Sequence, residues 1–212
     1  MIERRDFLKL PLVAAGLSAM GLCAPWIVES AIPRGRRLID GFVIDSRFPE
    51  SRHAGADLRF AGVRRHEVDG DVTSLWYDHL DAAWRNAGGG LAGLTGKDVL
   101  FVLARLAWDR RRKLYFRGLH SPTSDGRIEH RLSGSATLVG ELGVALDGAF
   151  HPAALGRQLC EWRGETGPAR VLVTSGRCGT ASGRTAPLVS WIIAPAGRGT
   201  NPADRQSGVE QS

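Results

Sequence analysis

Apolar and polar positions in the first half of the chain alternate between two periods, one typical of strands and one typical of helices. Apolar runs of strand length lie at Leu38–Ile44, Val63–Val68, Leu91–Leu94 and Leu114–Leu119. The segments between them have apolar residues at helical spacing. The pattern therefore predicts strands and helices in regular succession.

Three helices are predicted between these strands. The first, Glu50–Ala61, is short and rich in alanine. Asp71 is a suitable N-cap for the second, which continues to Ala87. The third, Lys97–Arg112, follows Thr95-Gly-Lys-Asp98, a sequence with the form of a capping box. Because this third helix is apolar nearly all round, we expect it to be buried against a sheet.

The second half of the chain has a weaker pattern. Ile128–Leu132, Val171–Thr174 and Leu188–Ile193 have strand character, and Pro152–Trp162 has an apolar side at helical spacing. The segment Ser135–Leu146, interrupted by two glycines, fits either a helix or a strand.

The alternation of strands and helices predicts an α/β fold: a three-layer domain with a mostly parallel sheet and helices on both faces. Parallel neighbours require crossover connections, which the helices between the strands would supply. We expect a single domain at residues 38–195. A linker rich in Pro, Gly and Arg precedes it (32–37), and a disordered polar tail follows it (196–212).

A run without any charged residue extends from Leu10 to Val28, directly after a basic N-terminus. The preceding residues are Arg4, Arg5, Asp6, Phe7, Leu8 and Lys9. They resemble the twin-arginine (Tat) export signal, in which an arginine pair, one polar residue, Phe, Leu and often Lys follow one another. The resemblance implies that these residues direct the chain to the Tat translocase, its partner during export. It also implies that the domain folds before it crosses the membrane.

Residues 1–31 are therefore predicted to be a signal peptide or an uncleaved N-terminal anchor. No Ala-x-Ala cleavage site follows the apolar run. Its nineteen uncharged residues approach the roughly 20 that a helix needs to span a bilayer. Both alternatives predict a periplasmic protein, and the second anchors it to the inner membrane.

Composition narrows the class of protein further. Hydrophobic residues make up 43% of the chain and charged residues 24%, as in globular domains. The net charge of +6 favours acidic ligands or a membrane surface. Nucleic acid is not expected as a partner, because the basic residues are scattered and the leader directs the chain out of the cytoplasm.

The cysteine pattern assigns no cofactor. Cys160 and Cys178 could form one disulfide in an oxidising compartment. The sequence contains no CxxC, HExxH or CxxCH, and no GxGxxG follows the first strand. No metal ligands are therefore predicted, and the cofactor stays unknown.

Candidate ligand-binding residues lie just after the predicted strands, where open α/β sheets bind their ligands. They are Arg47, Thr95, Gly96 and Ser175. The turn before the third helix offers backbone amides to an anion, and the arginine offers a bidentate contact. Thr95 also fits a purely structural role as a helix cap.

Candidate catalytic residues are His120, Asp45 and Cys178. His120 lies at a strand end, and its imidazole titrates near neutrality. It could pair with Asp45, or act as base for a Cys178 nucleophile. The alternatives are a turn at Asp45 and a flexible surface loop in the Gly-rich segment around Cys178.

Two classes of function follow. One is a non-catalytic exported protein that binds a small anion or serves as an accessory subunit of an exported complex. The other is a periplasmic hydrolase or isomerase with its site at the carboxyl ends of the strands. The residues leave open whether the protein is an enzyme. A cofactor-bearing redox protein fits the sequence least well.

Overall fold

The computed structural model describes residues 38–58, 62–86, 88–178 and 186–196. The strands in these ranges are β1 (Ile39–Asp45), β2 (Arg64–Val68), β3 (Gly90–Thr95), β4 (Arg112–Pro122), β5 (Arg127–Ser135), β6 (Gly148–Phe150), β7 (Ala169–Cys178) and β8 (Leu188–Pro195). The helices are α1 (Pro49–Gly55), α2 (Thr73–Leu75), α3 (Asp81–Arg85), α4 (Lys97–Asp109), α5 (Ala136–Leu146) and α6 (Pro152–Glu161), and a π-helical turn (Trp76–Leu80) joins α2 to α3. The predicted leader, the linker and all but the first residue of the predicted tail lie outside the described residues.

The strands form one curled, mixed sheet in the order β2-β1-β3-β8-β4-β5-β7-β6. β1 pairs in parallel with β2 and β3, and β6 pairs in parallel with β7. The pairs β3–β8, β8–β4, β4–β5 and β5–β7 are antiparallel. The predicted three-layer, mostly parallel α/β arrangement is therefore wrong, because the sheet is mixed and mostly antiparallel.

Two connections explain the difference. The last strand, β8, returns to the middle of the sheet and inserts between β3 and β4, antiparallel to both. β4 and β5 are joined by only four residues, 123–126, and so short a connection permits only an antiparallel pair. The apolar run of β8 is compatible with parallel or antiparallel pairing. The hydrophobic pattern of the sequence therefore did not show how this strand pairs.

Side chains from the two faces of the sheet form two hydrophobic clusters. On one face Phe42 and Ile192 pack with residues of α1, α5 and α6. On the other face Val43 and Trp191 pack with residues of α2, α3 and α4. The second face is incompletely covered, since Val173 on β7 is 52% exposed.

Several element boundaries differ from the predicted ones. The segment that fitted helix or strand is the helix α5, and Ser135 caps it by accepting a hydrogen bond from the amide of Leu138. The third predicted helix ends at Asp109 instead of Arg112. Arg111 adopts a positive φ of 53°, which turns the chain, and Arg112 begins β4.

No helix among the described residues is both long and apolar enough to cross a bilayer.

Candidate functional site

The carboxyl ends of β1 and β3 meet at one edge of the sheet, where the chain switches from one side of β1 to the other. Asp45 ends β1, and Gly96 follows β3 as the N-cap of α4. Sequence reasoning placed a ligand site here. The structure brings Asp45, Arg47 and Gly96 together at this point, with Asp98 of α4 as a fourth member; we call these four residues the edge cluster.

The charged groups of the edge cluster bind one another. The Arg47 guanidinium donates to Asp45 through Nε (2.9 Å) and Nη2 (2.8 Å), and to Asp98 through Nη1 (2.9 Å) and Nη2 (3.0 Å). The Gly96 amide donates to Oδ2 of Asp45 at 3.0 Å. Asp45 is fully buried, whereas the side chains of Arg47 and Asp98 are 38% and 55% exposed.

These contacts leave the edge cluster largely closed to a ligand. Hydrogen bonds to Asp45 and Asp98 raise the pKa of Arg47 above its ordinary value, and the bond to Arg47 lowers the pKa of Asp98. Gly70, with a φ of 106°, packs against the guanidinium, where a Cβ would lie 2.7 Å from Nη1. The arginine that was predicted to bind an anion is thus already held between two carboxylates.

Thr95 has a structural position. Its hydroxyl is buried, donates to the Gly96 carbonyl at 3.0 Å and accepts from the Trp191 indole at 3.0 Å. The Asp98 contact with Arg47 was not foreseen. Asp98 was interpreted only as part of a capping box, yet no side-chain hydrogen bond caps α4.

His120 belongs to a second group, the histidine cluster, formed by His120, His130, Ser190 and Phe150. His120 Nδ1 lies 2.7 Å from His130 Nδ1, and His120 Nε2 lies 2.8 Å from Ser190 Oγ. Both imidazole rings pack against Phe150, with centroids 5.3 and 5.4 Å away. Both histidines and the serine are 0% exposed.

The short Nδ1–Nδ1 distance restricts the protons of the two histidines. One ring must donate and the other accept, so the pair carries at most one positive charge in this geometry. The order serine, imidazole, second imidazole is that of a nucleophile, a base and an orienting group. Because all three side chains are buried, no substrate atom has access to them in this conformation.

The predicted pairing of His120 with Asp45 is not present. By strand alternation Asp45 lies on the Val43 face, whereas His120 contacts Phe150 on the other face. β3 and β8 also separate their strands, a distance of three strand spacings, or roughly 14 Å. The backbone of Cys178 ends β7, but its side chain lies outside the described residues. Its catalytic role and its disulfide with Cys160 therefore stay predictions.

Ser175 lines a surface cavity of about 540 Å³ near the start of β5 and the end of β7. Arg127 Nη2 donates to the Ser175 carbonyl at 3.0 Å and to its hydroxyl at 2.9 Å. Thr123, Ser124 and Asp125 of the β4–β5 turn also line this cavity. Of the predicted ligand-binding residues, Arg47 and Gly96 thus belong to the edge cluster and Ser175 to this separate cavity, whereas Thr95 belongs to neither.

A larger, apolar groove of about 620 Å³ lies between α4 and β4. Phe101 and Trp108 on α4 are each 75% exposed, and Leu114 on β4 is 42% exposed. The prediction that this helix is buried against the sheet is confirmed for its inner side, whereas its outer side is exposed. Sequence reasoning missed the groove, although two large aromatic residues seven positions apart on one helix were the available signal.

A smaller cavity of about 30 Å³ lies beside His66, whose ring is 5.3 Å from that of His79 on the π-helical turn. Burial, together with the charges of His79 and Arg64, lowers the pKa of His66 to about 4.

Within the described ranges no three His, Cys, Asp or Glu side chains are grouped so that they could hold a metal ion.

Comparisons of the chain with protein-family models, with curated proteins and with solved structures gave no match. The described residues form a mixed-sheet domain with a wide apolar groove, an open polar cavity and two polar clusters that are largely closed.

Proposed function

We propose that this protein is a non-catalytic accessory subunit of an exported complex, and that it binds a segment of its partner in the groove between α4 and β4. The observation that supports this most is the exposure of Phe101 and Trp108 on one face of α4. Together they expose on the order of 300 Å² of apolar surface, an extent that on monomeric proteins often marks an interaction site.

The position of these side chains follows from how α4 packs. Val99, Leu103 and Ala107 bury the inner side of the helix in the second hydrophobic cluster. Phe101 and Trp108 are two turns apart, roughly 10 Å, and therefore point to the same outer side. Burial of the inner side already secures the helix, so the two aromatic residues are not required by the core.

The rim of the groove indicates the chemistry of the partner. Lys97, Arg105 and Arg117 line it and are exposed. The acidic residue of the lining, Asp98, is bound by Arg47. The surface thus combines an apolar floor with a positive rim. It fits an amphipathic helix with apolar residues at i, i+4 and i+7 and acidic residues on both sides.

A peptide-binding experiment tests this proposal. The full-length chain would be titrated by calorimetry with a helical peptide that carries three leucines at that spacing and flanking glutamates. Phe101→Ser and Trp108→Ser should each weaken binding at least about tenfold, as expected for central aromatic anchors. Tyr77→Ser is the matched control, since Tyr77 is 73% exposed on another helical segment.

Three outcomes would overturn the proposal. The first is equal binding of a scrambled peptide with the same composition. The second is unchanged affinity in the Phe101 and Trp108 variants. The third is a homodimer in solution that dissociates with Phe101→Ser, because the groove would then hold a second copy of this chain.

A charge-swap experiment tests whether the physiological partner binds at this groove. With Arg105→Glu, the partner should no longer copurify when the full-length chain is isolated from the cell envelope. A Glu→Arg change in the acidic flank of that partner should restore the complex, since only a direct contact allows such rescue. Retention of the partner by the Arg105→Glu chain would contradict the assignment of this surface.

Export is the other part of the proposal, and it is supported by the resemblance of the N-terminus to the twin-arginine signal. Replacing Arg4 and Arg5 by lysine should keep the protein in the cytoplasm, because the translocase reads the arginine pair. Cell fractionation measures this directly. An unchanged envelope location would contradict export by this route.

A further inference from the structure

Two arginines face each other on the outer face of the β5–β7 pair. Arg127 and Arg177 are directly opposite in the antiparallel register. Side chains in this relation have Cβ atoms roughly 5 Å apart, and like charges placed there are destabilising. Both side chains are exposed.

Two carboxylates, those of Asp125 and Glu129, line the same cavity. Hydrogen bonds from Thr123 and from the Arg127 amide lower the pKa of Asp125, and the charge of Arg127 contributes least to this shift. Asp125 accepts hydrogen bonds from the Thr123 hydroxyl and from the Arg127 amide, which closes the β4–β5 turn. Glu129 lies 3.8 Å from Arg131. Among the described residues, no carboxylate forms an ion pair with either Arg127 or Arg177. Neither guanidinium group is therefore neutralised by a direct ion pair with these carboxylates.

Arg127 is also held in place. Its Nη2 donates to both the carbonyl and the hydroxyl of Ser175, which fixes the plane of the guanidinium beside the cavity of about 540 Å³. The Ser175 hydroxyl accepts from Arg127 and so keeps its own proton to donate. Thr123 and Ser124 contribute further hydroxyl groups to the lining.

We propose that Arg127, Arg177 and Ser175 form a binding site for the phosphate group of a small phosphorylated molecule. A phosphate dianion would neutralise both arginines and accept hydrogen bonds from their guanidinium forks and from the serine hydroxyl. The cavity beside it has room for the rest of a small ligand. This site shares no residue with the groove between α4 and β4 and does not rest on the proposed docking function.

The test uses the full-length chain and inorganic phosphate, with potassium chloride at equal ionic strength as reference. Phosphate should raise the melting temperature, because binding to the folded state stabilises it. Arg177→Gln should weaken phosphate binding about tenfold, measured by calorimetry, because one of two charge-assisted contacts is lost. The same variant should melt slightly higher than the unmodified chain in chloride, because it removes the like-charge pair.

Arg170→Gln is the matched control, since Arg170 is an exposed arginine on the same strand, paired in register with Gly134. It should leave phosphate binding unchanged. Equal losses in the Arg177 and Arg170 variants would overturn the site, as would equal melting temperatures in phosphate and chloride. A larger effect of succinate than of phosphate would overturn the assignment of the ligand class. Phe101→Ser should retain phosphate binding, which separates this test from that of the docking groove.

Discussion

The edge cluster and the histidine cluster lie near the same edge of the sheet, yet they have opposite character. In the edge cluster, formed by Asp45, Arg47, Gly96 and Asp98, charged groups pair in a network that partly contacts water. In the histidine cluster the polar groups are fully buried and share protons among themselves. The position of a residue at one end of a strand determines the edge of the sheet near which its side chain lies. Its place in the alternation along the strand determines the face of the sheet on which the side chain lies.

The two clusters should therefore respond differently to mutation. Water can replace a lost partner at the exposed side of the edge cluster, which limits the cost of a substitution there. The side chains of the histidine cluster are fully buried, so bulk solvent does not reach them to replace a lost hydrogen bond, and a truncated side chain leaves a cavity as well. The predicted losses of stability follow this order.

The largest effect is expected for His130→Ala. The change deprives His120 Nδ1 of its 2.7 Å contact and opens a cavity beside Phe150. We expect the free energy of unfolding to fall by about 3 kcal/mol, from the lost hydrogen bond and the cavity together. Urea denaturation at pH 7 measures it.

His53→Ala is the control for this variant, because His53 is exposed on α1. It should change the free energy of unfolding by no more than about 0.5 kcal/mol. A loss below about 1 kcal/mol for His130→Ala would show that the two clusters do not differ in the way described.

An intermediate effect is expected for Asp45→Asn. The asparagine keeps one acceptor oxygen, but its NH₂ group faces a donor in either orientation: Arg47 Nε, or both Arg47 Nη2 and the Gly96 amide. Because Asp45 is fully buried, we expect a loss of about 2 kcal/mol in the free energy of unfolding. Asp57→Asn, at an exposed ion pair with Arg157, should cost less than about 0.5 kcal/mol in the same measurement. Equal losses of stability in these two variants would contradict the distinction between the buried Asp45 and the exposed ion pair of Asp57.

The assembly of the edge cluster was predictable in part. Asp45 and Gly96 follow strands that are parallel neighbours, so the rule about strand carboxyl ends placed them together correctly. His120 also lies toward that edge, but the rule gave no face and did not show that β8 would separate β4 from β3. Insertion of the last strand into the centre of a sheet leaves no local signal in the sequence.

The partner of His120 could have been found. A hairpin centred on Asp125, with Gly126 in its loop, would place residues 120 and 130 opposite each other, and the register has this pairing. The exposed side of α4 was harder to predict. A helix with apolar residues all round is ordinarily buried, and only the finished sheet shows that nothing among the described residues covers Phe101 and Trp108.

The smallest effect is expected at Asp98, on the exposed side of the edge cluster. Arg47 lowers the pKa of Asp98 below its ordinary value of 3.8 in the folded chain, so the unfolded chain binds this proton at higher pH. The contribution of the ion pair to stability is then fully present above about pH 5 and is lost as the pH falls below 3.8. With more than half of the Asp98 side chain exposed, this contribution should amount to only a few tenths of a kcal/mol.

Asp98→Asn should therefore reduce the loss of stability between pH 5 and pH 2.5 by that amount at low salt. Asp109→Asn is the control for removing a charge from the same helix. An unchanged slope in the Asp98 variant would mean that solvent screens this contact completely.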